Sequence, residues 1–490
     1  MDNLTNSLKI NINMFKEILD NDETIVYREF ENKYERAMKC CLVFIKGMVN
    51  KDMVNEHIIQ PIMNVDMSSV NYKEAITVKN ITDVLIKKIV ISGNMQNTSK
   101  INDLILALLY GDTILLVEGS SEGIIIETKG WEVRSVSEPD SERVVRGPKE
   151  GFTESIITNI SLIRKRIRSS DLKFMFQEVG TLTKTKICIC YIENIANPKI
   201  VEEVLNRLKK VDNDQILYSE MLEEFIKDSS FSLFKTIGNT ERPDVASAKL
   251  MEGRIAIIID GTPFVLTMPF IFQEYFQAAD DYANNYIFAS FNRMLRMTAF
   301  FLGLSVPALY NAVITYHQEL IPTALLLSIS TAREGIPFPT VFEALVMLTG
   351  FEMLREAGVR LPMPIGQSVS IVGALVLGEA AVNARIISAP MVIVVAVTGI
   401  CAFLIPKLIG PFIIIRFTFL ILSAMWGLFG YMYGVIGLFI YLFSLRSFGI
   451  PYMLYSSVIS EEEIRDTAVR FPIWKVNNRP KLISKHKKRQ

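Results

Sequence analysis

The residues with chemistry to offer are few, and most stand where a membrane would be. Gly119-Ser120-Ser121-Glu122-Gly123 fits the GxSxG pattern of a serine nucleophile elbow. That pattern works only on a strand-to-helix turn with a histidine in reach. Here a second β-rich run follows, and the chain's three histidines, His57, His317 and His486, stand elsewhere. There is no HExxH, no GxGxxG after a strand and no GxxxxGK[ST]. The five cysteines (Cys40, Cys41, Cys188, Cys190 and Cys401) form no CxxC pair, which argues against a zinc site or a disulfide framework. We therefore expect no enzyme, cofactor or metal.

The second group of reactive residues lies in apolar surroundings. Gln367, Ser370, Ala374, Gly378, Ala381 and Arg385 fall on one stripe of a helical wheel, with Glu379 beside it. Small residues let helices approach closely, and Ser or Gln can hydrogen-bond between them. The same stripe could instead line a water-filled pathway, with Val369 and Val372 as an apolar constriction. Glu379 favours the pathway, because a carboxylate within a span marks a route or an ion pair. Glu343, Glu352, Arg355 and Glu356 could pair among themselves or take part in coupling, and Arg416 is expected to snorkel.

The elements that must position these residues divide the 490-residue chain in two. Met297–Tyr316, Ile386–Pro406 and Phe417–Leu445 carry no charge over twenty, twenty-one and twenty-nine residues. Each is long enough for a bilayer core, which takes about twenty apolar residues. The charged residues, 21% of the chain, stand mostly before residue 260 and at the C-terminus. The expected fold class is an α/β cytoplasmic N-terminal domain of two subdomains, followed by an all-α polytopic transmembrane bundle. The formal net charge of zero gives no basic field for nucleic acid.

Residues 1–30 read as a polar segment, helical or loose. Residues 31–145 read as a first subdomain. Its helix over Glu31–Asn50 would carry Ala37, Cys41, Phe44 and Met48 on one stripe. Strands Thr113–Val117 and Gly123–Glu127 flank a hairpin loop, and Trp131–Val136 is a further strand candidate. Residues 146–270 read as a second subdomain. It holds a helix over Glu154–Ser169, strands Leu172–Val179 and Thr185–Ile192, and a helix opened by Asn197-Pro198. A helix over Tyr218–Lys227 and strands Arg254–Asp260 and Phe264–Met268 complete it. No repeat of 20–50 residues is evident, though the two subdomains could be distant copies.

Residues 271–450 read as the bundle, with four to six spans. Ile271–Arg296 would form an amphipathic interfacial collar. Pro307 is expected to kink the first span, and Leu320–Ala332 with Thr340–Arg355 would form a re-entrant pair. Leu361–Arg385 and Ala389–Pro406 would be spans, and Pro411–Leu445 one long helix or two short ones. Residues 451–490 form a basic tail, which votes for a cytoplasmic C-terminus.

Several motifs then fall in one order. They include Arg146-Gly-Pro-Lys-Glu-Gly-Phe-Thr153, Glu241-Arg-Pro-Asp244, Glu252-Gly-Arg254 and Asp260-Gly-Thr-Pro-Phe264. Pro307-Ala-Leu-Tyr310, Arg333-Glu-Gly-Ile-Pro-Phe-Pro339, Gly366-Gln-Ser-Val-Ser-Ile-Val-Gly-Ala-Leu-Val376 and Arg446-Ser-Phe-Gly-Ile-Pro-Tyr452 follow. Together they resemble the A subunit of the nutrient germinant receptors of bacterial spores, the GerA family. The resemblance covers roughly residues 140–455 and is weak over residues 1–110. Ser229-Ser-Phe-Ser-Leu-Phe234 lacks the family's prolines. It implies a multi-pass protein of the spore inner membrane with both termini cytoplasmic. It also implies action with a transporter-like, nutrient-binding B subunit and a lipoprotein C subunit, in a pentameric ion channel that opens when nutrient binds. A solute carrier and a non-conducting scaffold are the rival classes.

Overall fold

The structure is a computed structural model that describes residues 3–32, 38–64, 81–90, 94–130, 139, 142–361, 378–453, 466–475, 479 and 482–485. Its soluble part is built twice on one plan. The first copy opens with helix α1 (Leu8–Ile18) and holds strands β1 (Ile25–Glu31), β2 (Lys39–Ile45), β3 (Met95–Thr98), β4 (Thr113–Val117) and β5 (Gly123–Ile126), with helix α2 (Ile101–Leu109) before β4. The second opens with α3 (Ile156–Arg166). It holds β6 (Leu172–Val179), β7 (Thr185–Ile192), β8 (Gly238–Thr240), β9 (Ile255–Ile259) and β10 (Val265–Met268), with α4 (Pro198–Lys209), α5 (Ser219–Ile226) and α6 (Pro243–Met251) between strands. The sheet orders are β1-β2-β4-β5-β3 and β6-β7-β9-β10-β8, the same order shifted by five. All pairings in both sheets are antiparallel.

The duplication extends to single hydrogen bonds. Asn11 Oδ1 accepts from the Thr5 amide at 2.8 Å and returns a bond to its carbonyl at 2.6 Å. Asn159 does the same with Thr153 at 2.7 and 2.5 Å. The Glu118 carboxylate accepts from the Leu8 amide at the start of α1, and the Asp260 carboxylate from the Ile156 amide at the start of α3, at 2.8 and 3.1 Å. A carboxylate there answers orphan N–H groups and the positive end of the helix dipole. The two copies anticipated as a possibility are therefore present.

Each sheet is covered on both faces. In the first copy Cys41, Val43 and Ile45 pack under α1 and α2. Cys40, Leu42 and Leu115 pack on the other side against Val54, Ile58 and Leu85. This is why the expected helix over Glu31–Asn50 is wrong: Lys39–Ile45 is a central strand. A strand buried on both faces shows an unbroken apolar run rather than alternation, and chance spacing within that run imitates a helix. Of the two alternatives for residues 1–30 the helical one is found in α1, but it is no separate polar segment, since Leu8, Ile12 and Phe15 are core. Strands β6 and β7 and the Asn197 cap match expectation. Cys188 and Cys190 share one buried face of β7. The strand candidate Trp131–Val136 lies outside the described residues.

The bundle follows a 3-10 turn at Phe272–Phe276 and a short helix at Asp280–Ala283. It comprises α7 (Tyr286–Tyr316), α8 (Thr323–Ala332), α9 (Thr340–Arg360), α10 (Ala389–Phe403) and α11 (Ile409–Ser444). By length and composition, Tyr286–Tyr316 is apolar and long enough to cross a membrane, and Pro406–Ser444 is apolar over a comparable length but turns back within itself. Helix α7 runs through Pro307 unbroken. Helix α11 doubles back at Gly427, whose φ of 60° and ψ of −136° are not helical. A Cβ placed on Gly430 would meet the Leu422 carbonyl oxygen at 2.0 Å, and Phe419 and Tyr431 have ring centroids 5.9 Å apart. A straight helix would set residues 419 and 431 about 18 Å apart along its axis. Of the two readings for Pro411–Leu445, two short helices is the one found.

Candidate functional site

The junction between soluble domain and bundle is where the sequence motifs converge. Phe234, Phe270, Phe272, Tyr275 and Phe276 from the soluble side share one core with Phe300 and Leu304 of α7 and Phe412 of α11. Edge-to-face packing recurs there, as between Phe272 and Phe300 at 5.5 Å. After α11 the hairpin β11 (Arg446–Ser447) and β12 (Ile450–Pro451) re-enters the second copy. Ser447 Oγ accepts from the Phe270 amide at 3.0 Å and donates to the Thr236 carbonyl at 2.6 Å. Phe448 and Ile450 join the core under α4 and α5. The Arg207 guanidinium lies 4.4 Å from the centre of the Phe448 ring. Tyr452 Oη donates to the Lys235 carbonyl at 2.7 Å.

A buried charged node ties this junction to the second sheet. Glu274 meets Arg254 Nη1 at 2.5 Å and Lys249 Nζ at 2.7 Å. Burial opposes all three charges. It lowers the Lys249 ammonium below its usual range, against the pull of Glu274. For Glu274 burial works upward, but Arg254 and Lys249 outweigh it and hold the carboxylate below its usual value. The motif residues Arg254, Asp260 and Arg242 are thus structural: they fix the junction, cap α3 and hold the inter-copy connection.

The expected amphipathic collar takes a different form. Its charges turn inward, with Arg293 fully buried and bonded to Asp281 at 3.4 Å and Asp466 at 2.9 Å. Arg296 joins Asp281 and the Phe276 carbonyl. Inward pairing satisfies charges that would otherwise face the apolar core. The C-terminal segment docks as well: Ile483 is fully buried in the second copy's core, and Ser484 bridges to Ala196.

Of the residues singled out in the bundle, Gln367, Ser370, Val369, Val372 and Ala374 lie outside the described residues. Glu379 is exposed on the helical stretch 378–383, and Arg385 is exposed in the turn that follows, at a φ of 54°. Glu343 is buried, pairs with Arg333 at 3.1 Å and accepts from the Ser388 amide at 2.9 Å where α10 begins. Glu352 pairs with Arg355 at 2.8 Å and with Arg416 at 2.5 Å. Arg416 therefore does not snorkel; it is 1% exposed and its charge is met within the bundle. Glu356 pairs with Arg360 on the surface. The four acidic and basic residues thus pair partly with one another and partly with Arg333, Arg360 and Arg416. Those three partners stand 10, 4 and 64 residues away from Glu343, Glu356 and Glu352, and only the spacing of 4 was readable as a helical pair.

Two cavities stand out among the described residues. One of about 490 Å³ lies between the two copies, where Glu23, Lys46, Ser155, Lys186 and Asp260 bring both signs of charge to the start of α3. The copies are riveted beside it. Arg164 pairs with Asp22, both buried, and the Glu23 amide donates to the Phe174 carbonyl at 3.0 Å. The other, about 640 Å³, is aromatic and lies where α7 ends against the Gly427 turn, lined by Tyr316, His317, Trp426, Phe429 and Tyr433. Among the described residues no cluster of His, Cys, Asp and Glu could hold a metal ion.

Comparison with known proteins gives a consistent answer. The family described as Bacillus/Clostridium GerA spore germination protein matches residues 13–482. A membrane protein of Bacillus subtilis (strain 168), YfkQ, is 40% identical over 98% of this chain and 92% of its own length. Spore germination protein KA of the same organism is 40% identical over 98% of this chain and 88% of its own. Among solved structures, the N-terminal domain of the A subunit of the Bacillus megaterium spore germinant receptor GerK3 is 34% identical. It covers 55% of this chain and 97% of its own, with a TM-score of 0.42.

Proposed function

This chain belongs to the GerA spore germination family, and from that premise we propose that it is a nutrient germinant receptor subunit that supplies a ligand-gated cation pathway. The observation that carries the receptor role is the family match from residue 13 to residue 482, which includes both the duplicated soluble domain and the bundle. In this reading the protein crosses the spore inner membrane several times with both ends cytoplasmic. The docking of residues 482–485 on the second copy favours that arrangement, because it brings the C-terminal segment to the soluble domain. So does the return of α11: Lys407 before it bonds Glu142, and Tyr441 near its end bonds the Leu233 amide.

The pathway would be lined by Gln367, Ser370 and Ala374, gated at Val369 and Val372, with Glu379 as an ionic element. It would open in a pentamer whose nutrient is bound by a transporter-like B subunit, alongside a lipoprotein C subunit. What supports it is the sequence stripe and the exposure of Glu379, a carboxylate that the single chain leaves uncovered. Coupling needs two states of the bundle with different affinity for the liganded partner.

Single-channel recording in planar bilayers tests this reading. Discrete cation-selective openings that vanish when Gln367 and Ser370 are both changed to Leu are expected. Val372→Ala should give leaky spores that germinate without nutrient. Silence that persists with both partners and nutrient present rejects the channel and leaves a scaffold or a carrier.

A further inference from the structure

The soluble domain also reaches the bundle through a charge pair outside the aromatic core. Glu142 lies on the connection between the two copies, and Lys407 in the 3-10 turn Pro406–Leu408 that joins α10 to α11. Lys407 Nζ stands 2.6 Å from Glu142 Oε1. The other carboxylate oxygen is held by the end of β8: it accepts from Thr240 Oγ1 at 2.5 Å and from the Glu241 amide at 3.3 Å. The Glu142 carbonyl accepts from Arg242 at 3.3 Å, and Arg242 also bonds the Pro148 carbonyl at 3.0 Å. Glu142 is therefore fixed from the second sheet with one oxygen presented to the bundle. At the other end, Ile405 and Leu408 on either side of Lys407 are buried in the junction core. Lys407 thus carries any pull directly to the foot of α10 and of α11.

We propose that the Glu142–Lys407 pair is a coupling contact, through which displacement of the inter-copy connection is passed to the α10–α11 turn. Both are positioning residues, and the proposal rests on the receptor reading above. Burial alone would push the Glu142 carboxyl up, but the charge and hydrogen bond of Lys407, the Thr240 hydroxyl and the Lys249 charge together outweigh it and hold it below its usual value, so the pair is ionic at neutral pH. Lys407 is 42% exposed, so the pair is a minor contributor to stability. The apolar junction holds domain and bundle together without it. Its removal should thus cut a charge link and leave the fold in place.

The test uses the full receptor in spores that lack their other nutrient receptors, triggered with a mixture of L-amino acids, sugars and nucleosides. Spores carry wild type, a deletion, Glu142→Gln, Lys407→Met, or the charge-conserving Lys407→Arg. Receptor amount is followed by immunoblot and germination by dipicolinate release across a nutrient dilution series. Each charge-removing change is expected to raise the half-maximal nutrient dose by roughly five- to hundredfold, the usual span of a coupling effect, at unchanged receptor amount. Lys407→Arg keeps the charge and should stay close to the wild-type dose. Charge-removing variants with the wild-type dose response overturn the proposal. So does a Lys407→Arg dose response no better than that of Lys407→Met, which makes the loss local damage. If the deletion itself leaves nutrient germination unchanged, the receptor reading falls and the coupling contact with it. Loss only in the deletion sinks the coupling contact alone.

Discussion

Removing the Arg164 guanidinium should loosen the seam between the two copies of the soluble domain. Arg164 and Asp22 have side chains 0% and 1% exposed, and the guanidinium lies 4.6 Å from the centre of the Phe174 ring. Asp22 also accepts from the Thr24 amide and hydroxyl, at 3.1 and 2.6 Å. Arg164→Met keeps most of the side chain's volume but leaves that carboxylate buried without a counter-charge. Breaking a buried pair from one side costs about 3–5 kcal/mol. Divided by about 1.36 kcal/mol per decade, this is two to nearly four decades in a local opening equilibrium. Hydrogen–deuterium exchange on the detergent-solubilised full chain reads that equilibrium at β1 and β6. Protection there should fall roughly 100- to several thousand-fold, as far as global unfolding does not cap it. Adding Asp22→Asn removes the stranded charge and keeps the Thr24 bonds, so the double variant should be better protected than Arg164→Met alone. A drop below about fivefold would refute the reasoning, because it would mean that water already reaches the pair. A double variant worse than the single would refute it too.

Gly427→Ala forces a side chain into a glycine-only backbone region, at about 1–3 kcal/mol of strain. Its Cβ would also meet Tyr316 Cβ at 3.0 Å. A lower melting temperature by Trp fluorescence is expected, with none for Gly437→Ala, where the added atom meets open space. Burial pushes the Cys40 and Cys41 thiols up to about 12, so neither forms appreciable thiolate at pH 8. A chromogenic disulfide reagent should leave both unmodified in the native protein and titrate all five cysteines after unfolding; fast native labelling would contradict this burial. The Glu142 carboxyl is held below its ordinary value of 4.5, so what it contributes is present above that pH and lost as pH falls through the folded value. The stability difference between wild type and Glu142→Gln should therefore be flat from pH 6 to 8 and shrink below about 4.5.

What could be read in advance was local chemistry. The N-cap Asn197, the hairpin at Glu118–Glu122 and the strands β6 and β7 follow from neighbouring residues and were legible. The duplication was legible only as a possibility. Its matching residues are a few caps, Thr5 and Asn11 against Thr153 and Asn159, Glu118 against Asp260, and the two sets sit at different offsets. Strand β2 was hidden by burial on both faces. The turn at Gly427 lies inside an uncharged run, so hydropathy passes over it. Arg416 and the docked Ile483 depend on partners far away in the chain, Glu352 and the core under α4, and no window of sequence contains both ends. The same holds for Glu142 and Lys407.

The packing also says where motion belongs. The junction is welded by an aromatic core, the Glu274 node and the β11–β12 hairpin, so the soluble domain and the feet of α7 and α11 must move together. Helix α8 buries no side chain, and α9 buries only Thr340, Glu343, Ala344 and Leu348. Rearranging these two costs little apolar burial. Helix α10 lies between the two regimes. Its exit enters the junction core at Ile405, and its entry is held by Glu343 at Ser388. Near that entry Val392 lies 3.8 Å from where a Cβ would sit on Gly378, which stands within the proposed gate span Leu361–Arg385. A pull on Lys407 therefore acts on a helix that touches both the junction and the described end of that span. If α10 is this strut, enlarging Val392 should alter gating in receptors whose Glu142–Lys407 pair is intact, and do little where the pair is already broken. Additive effects of the two changes would show that α10 does not connect them.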